Sequence, residues 1–115
     1  MNELIETILK NFKVNNNNIA YQFLHYTGDE TTYITYSEIN IDSTFYGDDE
    51  LQAYVDYYDF DIYSKGNYFP IIEGLKETLE DNGFRWQPSM TSEDMFENDT
   101  GYYHKTLCFS YLKED

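Results

Sequence analysis

Cysteine and long apolar runs are both scarce in this 115-residue chain. Its one cysteine, Cys108, cannot form a disulfide within the chain, which suits a reducing cytoplasm. No segment approaches the roughly 18 consecutive apolar residues that a membrane-spanning helix requires. The N-terminal residues lack the continuous apolar stretch and the cleavage site of a signal peptide. We therefore expect one cytoplasmic domain over residues 1–115, with no membrane partner.

Basic residues are also few, with 7 Lys and Arg against 22 Asp and Glu, which gives a formal net charge of −15. Nucleic acids and anionic membranes are bound through Lys and Arg that replace counterions, so the charge excludes both as direct ligands. Three explanations of the acidity remain. The chain mimics DNA and occupies a basic groove, it lines a path along which DNA slides, or its charge only maintains solubility.

Residue patterns that carry catalysis or bind metals are missing as well. His25 and His104 have no partner at metal-site spacing, and there is no glycine-rich phosphate loop. Asp59 and Asp61 share one face of a predicted strand, but solvated strand acids are far more common than cation sites. His104 and Cys108 lie ~13 Å apart along a strand, which is too far for a nucleophile and its base. We predict no enzymatic activity, no metal and no cofactor.

Aromatic residues, in contrast, are abundant, with 13 Tyr and 8 Phe. A Tyr ring packs against apolar neighbours while its hydroxyl stays hydrated, so these residues suit a sheet with one solvated face or a broad contact surface. The clearest pattern covers residues 54–86, with a strand over 54–63, a helix over 68–82 and a strand over 84–87. Pro70 fits the first turn of that helix, and Asn82-Gly83 ends it.

The rest of the chain adds one helix and three strands. An apolar helical stripe covers residues 3–12, strands are predicted over 19–26, 32–41 and 102–112, and a polar loop over 88–101. An exposed loop is predicted over 42–50, where the densest acid run lies: Asp48, Asp49 and Glu50. The order α-β-β-β-α-β-β predicts an α+β fold, with two helices on a mainly antiparallel four- to five-stranded sheet. The strands at 84–87 and 102–112 should pair antiparallel.

Alternation along the strands predicts which side chains face the helices. In the third strand these are Tyr54, Tyr58, Phe60 and Ile62, and the wetter face carries Val55, Tyr57, Asp59, Asp61 and Tyr63. In the last strand Leu107, Phe109 and Tyr111 share a face with Tyr103, and His104, Thr106, Cys108 and Ser110 share the other. The predicted core is Leu4, Ile8, Phe60, Ile62, Ile72, Leu75, Leu79, Phe84, Leu107 and Phe109.

Several segments, taken in order, match a known family pattern. They are Tyr33-Ile34-Thr35-Tyr36-Ser37, Phe45-Tyr46-Gly47-Asp48-Asp49, Asp61-Ile62-Tyr63-Ser64-Lys65, Asn82-Gly83-Phe84 and Tyr103-His104-Lys105-Thr106-Leu107-Cys108-Phe109. With these segments the chain resembles, over nearly its whole length, the tail terminators, small tail-completion proteins of long-tailed phages and prophages of Firmicutes. It departs from that pattern in its stronger acidity and in the long 89–99 loop.

The resemblance implies a ring, commonly a hexamer, that binds the last ring of the tail tube protein, stops tube growth and meets the head–tail connector protein. It implies no catalysis, and a place in the virion tail after assembly in the host cytoplasm. DNA would pass through the ring without specific binding, because an acidic lumen repels it. Asp48, Asp49 and Glu50 are then candidate lumen residues, and a solvated outer loop explains them equally well.

Two other classes of protein remain open. One is a DNA-mimic inhibitor of a nuclease or restriction enzyme, and the other is a small acidic immunity protein that neutralises a basic toxin. A mimic needs acids at phosphate-like intervals over an extended face. In this sequence the acids are spread through loops and helix exteriors, which weakens that hypothesis.

Overall fold

The computed structural model of the protein describes residues 2–39, 44–47 and 50–114, with side chains described over 2–39 and 55–113. Within that part the elements are, in chain order, α1 (Asn2–Asn11), β1 (Lys13–Val14), β2 (Asn17–Asn18), β3 (Ala20–Phe23), β4 (Thr32–Ile39), β5 (Thr44–Gly47), β6 (Glu50–Ser64), α2 (Phe69–Asp81), β7 (Arg85–Trp86), a 3₁₀ turn (Pro88–Met90), β8 (Met95–Glu97) and β9 (Tyr102–Glu114).

The main sheet has the strand order β3-β4-β6-β9-β7, with β5 added to β6 and β8 added to β9. Among the described strands every pairing in it is antiparallel except that of β3 with β4. The predicted α+β class is therefore confirmed, as is the antiparallel pairing of β7 with β9. Of the helices in the described residues, neither is long and apolar enough to cross a membrane.

Local sequence determines helix α2. Ile71, Ile72, Leu75 and Leu79 recur at helical spacing and are all buried. A proline occupies the first turn, where its missing N–H removes no intrahelical hydrogen bond. The helix ends before Gly83, whose φ of 91° is a conformation that side chains with a Cβ disfavour.

The two faces of the sheet separate as the alternation predicts. On β6 the side chains of Tyr58, Phe60 and Ile62 are buried, and Val55, Tyr57, Asp59, Asp61 and Tyr63 are only partly buried on the opposite face. The predicted position of Tyr54 lies outside the described side chains. The predicted core residues are buried except Leu4, which is only partly buried because the buried stripe of α1 runs along Ile5, Ile8 and Leu9. Buried hydrophobic residues that the prediction omitted are Ile5, Leu9, Phe12, Ile34, Tyr36, Tyr58, Tyr68, Ile71 and Cys108.

A hydrogen bond joins helix α1 to the sheet. The buried Tyr36 on β4 donates its hydroxyl proton to the carboxylate of Glu6. Desolvation, and then the Glu6 hydrogen bond and charge, raise the pKa of Tyr36 above its usual value. The phenol therefore stays a donor, and the contact fixes the side of the sheet on which α1 packs.

Three segments for which the sequence predicts no strand contain strands. The Asn-rich segment after α1 forms the hairpin β1–β2, in which Asn15 and Asn16 adopt positive φ. The predicted 42–50 loop is wrong, because it contains β5, and the third strand begins at Glu50 instead of residue 54. The predicted 88–101 loop is wrong as well, since it contains β8, which pairs with β9. These strands are two to four residues long, too short to show an alternating pattern, so their pairing makes them strands.

The segment between β7 and β8 follows the edge of β9 through side-chain hydrogen bonds. The hydroxyl of Thr91 accepts hydrogen bonds from the indole N–H of Trp86 and the backbone N–H of Cys108. Ser92 accepts from the backbone N–H of Thr106 through its hydroxyl. These contacts replace backbone hydrogen bonds between strands where the edge of β9 has no paired strand between β7 and β8. They order a segment whose sequence predicts a loop.

Candidate assembly surfaces

The predicted acid run is flanked by two paired strands. Strand β5 ends at Gly47 and β6 begins at Glu50, and these two residues are register partners in an antiparallel pair. Asp48 and Asp49 connect them in the sequence and lie outside the described residues, as does the side chain of Glu50. The structure therefore locates the strand ends on both sides of the run, and it makes them a paired hairpin.

This hairpin includes the part of β6 that runs beyond the described end of β9. Strand β6 has 15 residues and so spans about 50 Å at the usual rise per residue. Over the described residues, β9 pairs with β6 from Ala53 onward and β4 pairs with β6 from Tyr57 onward. The described side chains of β6 begin at Val55, and the buried ones among them begin at Tyr58. Strand β5 pairs with β6 between Glu50 and Tyr54, so this end of β6 belongs to the β5–β6 hairpin.

The helix-free face of the sheet carries a polar network around Asp61. Its carboxylate accepts a hydrogen bond from the hydroxyl of Thr106 and lies 3.2 Å from Nε2 of His104. Both partners belong to β9, where Thr106 is the register partner of Asp61. The contact between His104 and Asp61 ties β9 to β6 on this face.

Asp59 and Cys108 form a second pair on the same face. They are register partners, and the thiol and the carboxylate are hydrogen-bonded. Burial, and then the charge of Asp61, raise the pKa of Asp59. Burial, and then the charge of Asp59, raise the pKa of Cys108 to about 11. Because a nucleophilic cysteine needs a lowered pKa, this environment does not activate the thiol.

The residues that the sequence offered as possible metal ligands or catalytic groups contact one another in two separate pairs. Asp59 and Asp61 do share a face, as the alternation predicts, but each is hydrogen-bonded to its own partner on β9. His104 contacts Asp61, and Cys108 contacts Asp59. Across residues 2–39, 44–47 and 50–114, no group of three or more His, Cys, Asp or Glu side chains is placed to hold a metal ion.

A row of stacked rings crosses one end of this face. Tyr33, Tyr63 and His104 are register partners on β4, β6 and β9, and Tyr26 stacks on Tyr33 from the loop after β3. The successive ring centroids, from Tyr26 to His104, are 4.3, 4.8 and 4.1 Å apart. Desolvation is the main cause of the raised pKa values of Tyr33 and Tyr63. The row stabilises the register of three strands and leaves a continuous aromatic surface.

A pocket of about 400 Å³ lies beside β8 and the start of α2. We call it the Tyr68 pocket, and its lining is Lys65, Gly66, Asn67, Tyr68, Phe69, Asp94 and Tyr103. The buried Tyr68 donates its hydroxyl proton to Asp94, and desolvation followed by this hydrogen bond raises the pKa of Tyr68. Phe69, Tyr103 and the neighbouring Phe96 are exposed by 58, 41 and 52%. An apolar surface is therefore open to a partner at this edge.

Sequence reasoning missed the stacked rings and the Tyr68 pocket. Alternation places Tyr63 and His104 on the solvated face, but the pairing that stacks them is not encoded in either strand alone. A scan of the chain against protein-family models finds no match, and a search of the curated proteins finds none either. Function is therefore inferred from the surfaces described above.

Proposed function

We propose that the chain is a structural virion protein, a tail terminator that forms a homohexameric ring on the end of a phage tail tube. The ring stops tube growth and joins the tail to the head, so its partners are further copies of itself, the tail tube protein and the head–tail connector protein. It acts without catalysis or a cofactor. It is located in the virion tail after assembly in the host cytoplasm.

The observation that carries this proposal is the β5–β6 hairpin. It brings together, at Gly47 and Glu50, the strand ends that flank the acid run, and it includes the part of β6 that runs beyond the described end of β9. In the proposed ring this end of the sheet faces a neighbouring subunit or the central channel. Asp48, Asp49 and Glu50 are the proposed lumen residues, since carboxylates along a DNA path prevent adhesion of phosphates.

The overall charge and the surfaces of the sheet agree with this role. With 22 acidic and 7 basic residues the chain repels the DNA that would pass through the ring, and DNA transits without specific binding. The helix-free face and the Tyr68 pocket expose aromatic side chains, which are enriched at protein–protein contacts. The order of segments that resembles the tail terminators adds independent support.

Deletion of the gene from the phage or prophage that encodes the chain tests the function. We expect tails of uncontrolled length and heads without attached tails, counted by electron microscopy of lysates. Complementation with the intact gene should restore both. Normal tails after deletion would refute the proposed function.

A charge-reversal variant tests the lumen residues separately. Asp48→Lys, Asp49→Lys and Glu50→Lys together should leave tails joined to heads but slow DNA ejection, because lysines in the channel bind phosphates. The matched control changes the same number of exposed acids on α2, with Glu73→Lys, Glu77→Lys and Glu80→Lys. Equal ejection rates in the two variants would place the acid run outside the lumen and leave the ring itself untouched.

A second candidate, a small acidic inhibitor or immunity protein that binds a basic protein, is favoured by one observation. Burial, and then the charge of Asp61, raise the pKa of Asp59, so the carboxylate form of Asp59 is disfavoured on the helix-free face. A basic side chain from a partner would relieve that cost. Neighbouring genes separate the two functions, since tail-tube and portal genes favour the terminator and an adjacent toxin or nuclease gene favours the inhibitor.

A further inference from the structure

Two exposed apolar features lie at opposite edges of the main sheet. Strand β3 forms one edge and is followed by the loop 24–31, which begins with Leu24. Strand β8 lies on the other side of β9, and the Tyr68 pocket lies beside it. Opposite edges of one sheet face different neighbours in a ring, where each copy uses two distinct surfaces.

The loop 24–31 is held in place by hydrogen bonds. The backbone N–H of Leu24 donates to the carbonyl of Tyr36 at 2.9 Å, and that of Thr27 donates to the side-chain oxygen of Gln22 at 3.0 Å. The N–H of Glu30 donates to the hydroxyl of Tyr26 at 3.0 Å. A Cβ at residue 28 would lie 2.3 Å from that hydroxyl, so a larger residue there would displace the Tyr26 ring. Such a loop binds with little further loss of conformational freedom.

This ordered loop presents an apolar side chain in a strained conformation. Leu24 has a φ of 64°, which is rare for a residue with a branched side chain, and 63% of its surface is exposed. Phe23, next to it, is exposed by 42%. Strain and exposure at one apolar residue are costly in an isolated chain, and both are explained if Leu24 is buried in an assembly.

Charged residues lie near both features. The pocket lining holds one cation, Lys65, whose ammonium lies 5.2 Å from the centre of the Tyr102 ring, and one acid, Asp94, which is paired with the ammonium of Lys105 at 3.5 Å. The loop 24–31 carries the exposed acids Asp29 and Glu30. In a chain with 7 basic residues, a lysine at the pocket rim steers an acidic, apolar-tipped segment toward it.

We propose that the loop 24–31 of one copy docks in the Tyr68 pocket of the next copy, with Leu24 against Phe69 and Tyr103. The contact is heterologous, so repeating it gives a ring when the rotation between successive copies closes and an open filament when it does not. The proposed contact rests on the proposed function, because it is the contact between subunits of the terminator ring. The occupant of the pocket is therefore a second copy of this chain.

Cysteine cross-linking of the full-length protein tests the contact. All variants carry Cys108→Ser, so that only introduced thiols react. Leu24→Cys protein mixed with Phe69→Cys protein at millimolar concentration and oxidised should give a disulfide-linked heterodimer. A protein that carries both Leu24→Cys and Phe69→Cys should give a ladder of disulfide-linked oligomers that stops at six chains. The control replaces Leu24→Cys with Leu112→Cys, an equally apolar position exposed by 52% on β9, and should give several-fold less heterodimer.

A charge exchange between the two surfaces is the second test of the contact. Lys65→Glu should reduce the heterodimer yield several-fold, and adding Asp29→Lys with Glu30→Lys on the partner should restore it. Oxidation traps even brief contacts, so an absence of heterodimer, a yield equal to that of Leu112→Cys, or only symmetric Leu24–Leu24 dimers would overturn the proposed contact. A ladder of oligomers together with normal tails after gene deletion would support the contact and refute the terminator function. Abnormal tails after gene deletion, without a ladder of oligomers, would support the terminator function and refute the contact.

Discussion

The alkaline stability of the protein should depend on Cys108. Its thiol is fully buried on the helix-free side of β9 and is hydrogen-bonded to Asp59. Cys108→Ser keeps a hydroxyl that can donate to the same carboxylate, and it removes the group that ionises. The variant therefore isolates the titration of the thiol from the packing around it.

The size of the effect follows from the pKa of the thiol. Its pKa is raised from 9.0 to about 11 in the folded protein, so the unfolded chain loses this proton at lower pH than the folded protein does. The stabilisation is fully present below pH 9 and is lost as pH rises toward the folded-state value. By pH 10.5 the titration of this thiol should lower the free energy of unfolding by about 2 kcal/mol.

Urea unfolding, followed by the fluorescence of Trp86, measures this loss at about pH 8 and about pH 10.5. Tyrosines and lysines titrate in both proteins, so the difference between wild type and Cys108→Ser reports the thiol. Between the two pH values the free energy of unfolding should fall by about 2 kcal/mol more in the wild-type protein than in the variant. In an Asp59→Asn protein that extra loss should shrink, because the neighbouring charge is removed. Equal losses in wild type and Cys108→Ser, within about 0.5 kcal/mol, would refute the reasoning.

Two further predictions concern the core and the polar face. Leu75→Ala should lower the free energy of unfolding by about 2–5 kcal/mol, since Leu75 is fully buried, and the exposed Glu77→Ala serves as the control. A loss below about 1 kcal/mol would mean that the side chain of Leu75 does not fill the core. Thermal melts with and without a chelator should coincide, and a fall of several degrees on chelation would reveal a bound metal, with Asp59 and Asp61 as its first candidate ligands.

Much of the fold could be predicted from the sequence because it is encoded over short distances. The period of Ile71, Ile72, Leu75 and Leu79 predicts helix α2, and Asn82-Gly83 predicts its end. Alternation along β6 assigns the buried and the partly solvated face without knowledge of the partner strand, whereas on β9 the residues Leu107 to Ser110 are buried on both faces. Side chains two residues apart on a strand share a face in any sheet, so these predictions hold whichever strands pair.

Pairing between distant segments was decided only by the tertiary structure. Strands β5 and β8 are only four and three residues long, and they are strands because β6 and β9 supply partners for their backbone groups. The stacking of Tyr33, Tyr63 and His104 depends on a register across three strands, and the Asp59–Cys108 pair depends on the register of two. The acid run of Asp48, Asp49 and Glu50 is visible in the sequence, but the pairing of the strands that flank it, β5 and β6, is seen only in the tertiary structure. Local periodicity specifies how a segment folds, whereas its neighbours depend on contacts between residues far apart in the chain.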